Sequence, residues 1–131
     1  AGVKQLADLA DPDVKVVLCA PQVPCGAASV QLLEKAGVTV KPVSEEQSVT
    51  DVLGKVSSGE ADAGLVYVTD VVSAGDTVHG VEVPEAAQVV NVYPITALAE
   101  AEEADLAARF VELVTGATGQ AVLQKAGFGT P

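Results

Sequence analysis

Two cysteines are the residues of this sequence most able to do chemistry. Cys19 and Cys25 lie six positions apart in VVLCAPQVPCGAAS, and Cys25 stands directly ahead of a predicted helix. Because the cysteines are even in number and six positions apart, they are compatible with one small disulfide loop in an oxidising compartment. A reactive thiol at Cys25 is the second interpretation, although the only histidine, His79, is far away in sequence and the spacing is not that of a C-x-x-C redox motif. The third is that the segment supplies free backbone N–H groups at the start of the helix.

Hydrogen-bond donors follow three consecutive predicted strands. The first turn of an α-helix has N–H groups without intrahelical partners, and the helix dipole makes that end positive. Pro24 and Gly26 flank Cys25 in one such turn, and EEQSVTDVLGKV provides a second one near Ser48, Val49 and Thr50. Tyr67, in GLVYVTD, falls at the end of the third strand, where its hydroxyl can donate one hydrogen bond. Donors at three consecutive strand ends could converge on one oxyanion. Each feature alone also has a structural explanation, as an ordinary helix start or a packed tyrosine.

Alternating strands and helices are needed to position these donors. Strands are predicted from apolar or alternating runs at 14–19, 38–43, 63–68 and 78–83, and from a longer run at 88–98 that contains Pro94. Helices are predicted at 3–10, at 26–36 before Gly37, from an N-cap at Ser48 to about Ser58, and within 102–116 and 116–128. TDVVSAGDT is expected to be a turn. The sequence therefore predicts an α/β fold with a mainly parallel sheet flanked by helices.

Composition excludes several function classes. The chain has 131 residues and a net charge of −11, with only seven Lys and Arg residues in total. Nucleic acid is not an expected partner, because phosphate neutralisation needs clustered cations. The sequence contains no GxSxG, Walker or GxGxxG motif, and His79 has no Cys or carboxylate partners at metal-ligand spacing. No apolar run reaches the ~20 residues that span a bilayer.

Three stretches resemble the molybdate-binding proteins of ABC importers. They are VPCGAASVQLLEKAGV, SVTDVLGKVSSGEADAGLVYVTDV and YPITAL…FVELVTGATGQAVLQKAGFGTP, so the resemblance extends along the whole chain. It implies a periplasmic-binding-protein fold, in which two α/β lobes joined by crossing strands hold a tetrahedral oxyanion between them. Residues 1–87 resemble the second lobe. Residues 88–131 resemble the crossing strand and the C-terminal helical return segment, which are normally shared with a first lobe that has no counterpart here.

The resemblance also implies a ligand set without an enzyme or a cofactor. The backbone N–H groups of Cys25 and Val49 and the hydroxyl of Tyr67 correspond to the contacts that this lobe makes with molybdate or tungstate. The only metal implied is the molybdenum of the bound oxyanion. Relatives often have a small residue at the position of Cys25, which a backbone donor tolerates. A cysteine beside the ligand strengthens the interpretation of Cys19 and Cys25 as a disulfide that rigidifies the loop.

Partners and location follow from the same resemblance. The expected partners are a small oxyanion and an ABC permease in the membrane. The expected location is extracytoplasmic, in the periplasm or at the cell surface, with a lipid anchor encoded upstream as an open alternative. Two different functions stay open beside the transport one, namely an effector-sensing lobe of a regulator and a ligand-inert truncated fragment. Such a fragment is expected to self-associate through the apolar residues of its last two helices, Leu106, Phe110, Leu113, Val122 and Leu123.

Overall fold

A three-stranded parallel sheet forms the centre of the fold in the computed structural model, which describes residues 2–131. The strands are β1 (Val16–Cys19), β2 (Ser44–Glu46) and β3 (Ala63–Gly64), in the order β2-β1-β3. Both outer strands run parallel to β1, and Val17 lies opposite Ser44 on one side and Gly64 on the other. The α/β fold class with a parallel sheet flanked by helices is therefore confirmed.

A helix follows each strand. They are α1 (Pro24–Ala36), α2 (Val49–Ser57) and α3 (Val68–Ala74), and single 3₁₀ helices occupy Leu6–Ala10, Gly75–Thr77 and Pro84–Gln88. The helix α1 ends at Gly37, whose φ of 66° lies in the left-handed region that glycine adopts at little cost. The helix α2 begins after Ser48, whose hydroxyl accepts a hydrogen bond from the Asp51 N–H. Both helix ends agree with the prediction from the sequence.

The side chains of β1 alternate between two apolar clusters. Val16 and Leu18 belong to one cluster with Leu6, Leu9, Leu32 and Leu33. Val17 and Cys19 point to the opposite face, as the two-residue period of a strand requires, and belong to a second cluster with Cys25, Val52 and Ala61. Every residue of β1 is buried, as expected of a central strand covered on both faces.

The described chain divides into two compact units, of which the first ends at Asn91 and the second is Val92–Pro131. The second unit contains α4 (Ala104–Thr115) and α5 (Ala117–Lys125). Its two helices match the pair predicted within 102–116 and 116–128. Tyr93 and Phe128 contact each other edge to face, with ring centroids 5.6 Å apart. The division into residues 1–87 and 88–131 stays a prediction, and Ala1 lies outside the described residues.

Three of the predicted strands are wrong. Segments 38–43, 78–83 and 88–98 form no ladder within residues 2–131. Val38 and Val40 are partly buried against the first cluster, which explains the apolar pattern without a strand. The ladder with β1 is instead formed by the polar residues of β2, and the Val43 N–H donates one hydrogen bond to the Val16 carbonyl just ahead of it.

Several element boundaries also differ from the prediction. The ladder of the predicted strand 63–68 stops at Gly64, and the predicted turn TDVVSAGDT begins as the helix α3. The predicted helix 3–10 is a 3₁₀ helix at Leu6–Ala10, and the predicted helix 26–36 begins two residues earlier, at Pro24. Pro24 is compatible with that start because its missing N–H has no intrahelical acceptor at the first helical position.

Candidate functional site

The carboxyl ends of the three strands define one edge of the sheet, and the candidate residues follow those ends. Parallel strands end on the same side of a sheet, so α1, α2 and α3 all begin near this edge. Cys25 lies in the first turn of α1, Val49 is the first residue of α2, and Tyr67 immediately precedes α3. The side chains of Val49 and Tyr67 pack against the buried cluster that contains Cys25. The fold thus brings the three predicted residues around one apolar cluster.

Cys25 is inside the helix rather than in the loop that the sequence predicts. The first intrahelical hydrogen bond of α1 is donated by the Ala27 N–H to the Val23 carbonyl at 2.9 Å. The N–H groups of Cys25 and Gly26 precede that bond, as the first-turn donors of any helix do. No acidic residue lies in this turn, so nothing there offsets the positive end of the helix dipole.

A disulfide joins Cys25 to Cys19, the last residue of β1. Both cysteines are buried, and the bond links the strand end directly to the first turn of the helix. Neither sulfur is a thiol in this state, which leaves Cys25 without the thiolate that nucleophilic catalysis requires. The Ser29 hydroxyl also donates to the Cys25 carbonyl at 2.8 Å and is itself buried.

Gly26 allows the start of α1 to approach the end of β1 closely. A Cβ atom at this position would overlap the carbonyl oxygen of Ala20 and would lie 2.9 Å from the carbonyl oxygen of Cys19. Both neighbours are backbone atoms, so they cannot move aside as a flexible side chain could. The glycine therefore fixes how near the N–H groups of α1 can lie to the sheet edge.

Val49 begins α2 with its N–H ahead of the first hydrogen bonds of that helix. The Ser48 hydroxyl accepts from the Asp51 N–H at 3.2 Å, and the Ser48 carbonyl accepts from the Val52 N–H at 3.4 Å. The Ser48 hydroxyl donates in turn to the Asp51 carboxylate at 2.7 Å. Asp51 adds a negative charge to the first turn of α2, whereas the first turn of α1 has none.

Tyr67 ends an extended stretch beyond β3 and serves as the N-cap of α3. Its own N–H donates to the Asp70 carboxylate at 2.9 Å, which starts a helix where the sequence predicts a turn. The ring is partly buried, and the phenolic oxygen accepts a hydrogen bond from Asn91 Nδ2 at 2.9 Å. Sequence reasoning did not single out Asn91. The sequence contained one signal that could have identified it: Asn91 is the only asparagine, and it interrupts the apolar run VVNVY.

A carboxylate at the same sheet edge is paired with a cation. Glu46 ends β2 opposite Cys19 in the ladder, and its carboxylate accepts from the Lys55 ammonium group at 2.6 Å and from the Ser44 hydroxyl at 2.7 Å. The hydrogen bond from Lys55, followed by that from Ser44, lowers the pKa of Glu46. The same contact with Glu46 raises the pKa of Lys55. The pairing offsets a negative charge that would otherwise oppose an anion at this edge.

An apolar pocket of about 220 Å³ lies elsewhere in the first unit. Leu6, Val71 and His79 are among its lining residues, and none of the three candidate residues lines it. Among the residues that the structure describes, no group of His, Cys, Asp and Glu side chains could hold a metal ion. No helix within residues 2–131 is long and apolar enough to cross a membrane.

The parallel sheet with a helix after each strand defines an α/β lobe of the kind found in periplasmic binding proteins. The chain belongs to the family of bacterial extracellular solute-binding proteins, whose sequence profile matches residues 1–129. The description of that family names the binding of a solute and no catalysed reaction.

The curated relatives carry a more specific name. The chain is 49% identical, over 129 residues, to the molybdate-binding protein ModA of Mycobacterium bovis and to that of two strains of Mycobacterium tuberculosis. These matches cover 98% of this chain but 49% of each relative, so the chain spans about half the length of the curated relatives it matches. No solved structure matches the chain significantly.

Proposed function

We propose that this chain forms one side of an oxyanion site in the substrate-binding component of an ABC importer for molybdate or tungstate. The observation that carries the proposal is the grouping of Cys25, Val49 and Tyr67 around one cluster at the carboxyl edge of the sheet. Two of them supply helix-start N–H groups, and the third supplies a hydroxyl. The name of the mycobacterial relatives supports molybdate as the ligand.

The proposed mechanism is capture without covalent chemistry. Helix-start N–H groups and a phenol are neutral donors, and they replace the hydration shell of a dianion as it enters the site. Neutral donors favour a fully deprotonated oxyanion, because a protonated one would turn its own donor toward another donor. Discrimination against sulfate would come from the size of the closed cleft, to which this chain contributes one side.

The proposal includes a truncated site. The chain spans about half of its curated relatives, and the other half would supply the facing side of the cleft. Closure of two lobes around the ligand would then present the loaded protein to a membrane permease. The family description supports an extracytoplasmic location, and anchoring by a lipid is part of the proposal that depends on residues upstream.

Isothermal titration calorimetry of the chain with molybdate and tungstate, with sulfate as the control anion, tests this function. We expect heat with the first two anions. Tyr67→Phe removes a hydrogen bond to a charged ligand and should weaken binding about tenfold or more. Tyr93→Phe, which changes the only other tyrosine and lies in the second unit, should leave the affinity unchanged.

A second experiment is needed if the chain alone does not bind molybdate. If the chain alone gives no heat, the N-terminal half of a mycobacterial relative is fused ahead of it and the titration is repeated. Molybdate binding by the fusion, and its loss in Tyr67→Phe, would support the half-site form of the proposal. A correctly folded fusion that binds no molybdate would contradict the function.

A ligand-inert fragment that self-associates is a second candidate with a structural observation in its favour. Leu106, Phe110, Leu113 and Val122 are more than half exposed, which favours contact between copies of the chain. Leu123, predicted to share that exposed face, is partly buried. No feature of residues 2–131 favours an effector-sensing lobe of a regulator.

A further inference from the structure

We infer that Asn91 is a positioning residue that holds the Tyr67 hydroxyl as a hydrogen-bond donor toward the bound oxyanion, and thereby selects for fully deprotonated oxyanions. The inference rests on the proposed function and deepens it. Its basis is the hydrogen bond in which Asn91 Nδ2 donates to the phenolic oxygen of Tyr67 at 2.9 Å.

The chemistry of the two groups determines the direction of the hydroxyl proton. A phenol has one proton and can also accept, whereas the NH₂ end of an asparagine amide can only donate. When Asn91 donates to the phenolic oxygen, the proton of that hydroxyl must point away from Asn91. The hydroxyl of Tyr67 then acts as a donor on the side away from Asn91. An oxygen of a dianion can only accept hydrogen bonds, so it requires a donor there.

The surroundings make Asn91 suited to this role. The Tyr67 ring is partly buried against the cluster that contains Cys25, so packing holds the ring. Packing of the ring does not by itself set the direction of the hydroxyl proton, and the hydrogen bond from Asn91 restricts that direction. Asn91 is exposed and is 24 residues away in sequence, which makes the contact a tertiary one within the first unit.

The consequence is discrimination by protonation state. Sulfate and hydrogenphosphate have the same charge and similar size, but hydrogenphosphate has a proton that needs an acceptor. With Asn91 donating to it, the Tyr67 oxygen has less capacity to accept that proton. Without Asn91 the hydroxyl can turn and accept, so the preference for the deprotonated anion should decrease.

The first experiment detects the hydrogen bond without any ligand. Asn91 is the only asparagine, so selective ¹⁵N-asparagine labelling gives a single pair of side-chain amide proton signals in an NMR spectrum. We expect one of the two protons to move upfield in Tyr67→Phe, because it loses its acceptor, and neither to move in Tyr93→Phe. An Asn91 amide pair that is identical in the parent chain and in Tyr67→Phe would overturn the inference.

The second experiment measures selectivity in the chain, or in the fusion described above if only the fusion binds. Asn91→Ala should weaken molybdate binding about fivefold, as expected for one hydrogen bond. It should also reduce the ratio by which molybdate binds more tightly than hydrogenphosphate, since only the second anion carries a proton that needs an acceptor. The matched control is Gln88→Ala, another exposed amide near Asn91 in sequence, which should change neither quantity.

The outcomes separate the two proposals. A parent protein that binds no molybdate, alone or as the fusion, overturns the proposed function and the selectivity role with it. A parent that binds molybdate while Asn91→Ala keeps the same affinity and the same anion ratio overturns the role of Asn91 alone. A loss of affinity with an unchanged ratio also overturns it, since that is what a merely structural contact would give.

Discussion

Gly26 sets the position of the first turn of α1 by having no side chain. Gly26→Ala would place a Cβ atom on the Ala20 carbonyl oxygen, and the backbone would have to shift to relieve the overlap. We expect the free energy of unfolding to fall by about 1 to 3 kcal/mol, the usual cost of overpacking. Urea denaturation followed by circular dichroism measures the change. Molybdate affinity should fall as well, because the Cys25 N–H would move with the turn.

Gly54 provides the matched control for that substitution. It lies inside α2, and a Cβ atom added there would meet nothing within 4 Å, while alanine is the better helix former. Gly54→Ala should therefore raise the free energy of unfolding by up to about 1 kcal/mol. Equal effects of the two substitutions would show that close approach of α1 to β1 is not what constrains Gly26.

The disulfide between Cys19 and Cys25 is expected to stabilise the fold by reducing the conformational freedom of the unfolded chain. Closing a loop with a sequence separation of six is worth about 2 kcal/mol in the chain-entropy treatment. Adding a reductant should lower the urea midpoint of the parent chain by a corresponding amount. The double variant Cys19→Ala, Cys25→Ala should unfold at one midpoint with and without reductant. A parent chain that alkylates at both cysteines before any reduction would contradict the disulfide.

At the scale of elements, an ion pair with a shared hydrogen bond connects β2 to α2. It consists of Glu46, Lys55 and the hydroxyl of Ser44. The lowered pKa of Glu46 means that the folded state favours its ionised form, so this stabilisation is present above the unfolded pKa of Glu. It is lost as the pH falls through the lower folded pKa. The raised pKa of Lys55 has the opposite sign: its stabilisation is present below the unfolded pKa of Lys and is lost as the pH rises through the higher folded pKa.

Lys55→Gln tests that linkage. The variant should be less stable than the parent at neutral pH, and the difference should shrink as Glu46 is protonated in acid. Urea midpoints measured at intervals from neutral pH to pH ~3 give the comparison. Lys41→Gln removes an exposed lysine that forms no ion pair within the described residues and should show no such pH dependence. A difference for Lys55→Gln that stays constant down to low pH would contradict the pairing.

All the α-helices except α3 were predictable from the sequence because their signals are local, whereas most of the strands were not. Ser48 and Gly37 mark helix ends through their own hydrogen bonds and backbone angles. A strand requires a neighbour, and Val38 and Val40 pack against the first cluster without a ladder while polar Ser44–Glu46 pairs with β1. The apolar pattern at 38–43 therefore reflects the partial burial of Val38 and Val40, while Val43 is 61% exposed, and the assignment of the segment to a strand is wrong.

The residues of the candidate site also include some that the sequence could predict and some that it could not. The strand ends that carry Cys25, Val49 and Tyr67 could be proposed from local sequence, because each is followed by a hydrogen-bond donor, and the family resemblance selected these three residues. Asn91 could not, because its contact with Tyr67 depends on how a distant segment returns to the sheet. The pairing of Glu46 with Lys55 was missed for a similar reason, since it required knowing that β2 is three polar residues.

At the scale of the whole molecule, the last prediction concerns the apolar face of α4. Leu106, Phe110 and Leu113 recur at the spacing of one helix face and are 61%, 58% and 56% exposed. A second copy of this chain is the available partner in a purified sample, and we expect self-association that increases with protein concentration. The net charge of −11 opposes it, so added salt should strengthen it by screening the repulsion.

Multi-angle light scattering across a concentration series, at low and high salt, measures this association. Phe110→Ser should shift the chain toward the monomer, since it replaces the largest side chain of the face with a small polar one. Val68→Ser removes an equally exposed apolar side chain from α3 (67% exposed) in the first unit and should leave the association unchanged. A parent chain that is monomeric at every concentration and salt level, or equal effects of the two substitutions, would show that the α4 face does not mediate contact between copies.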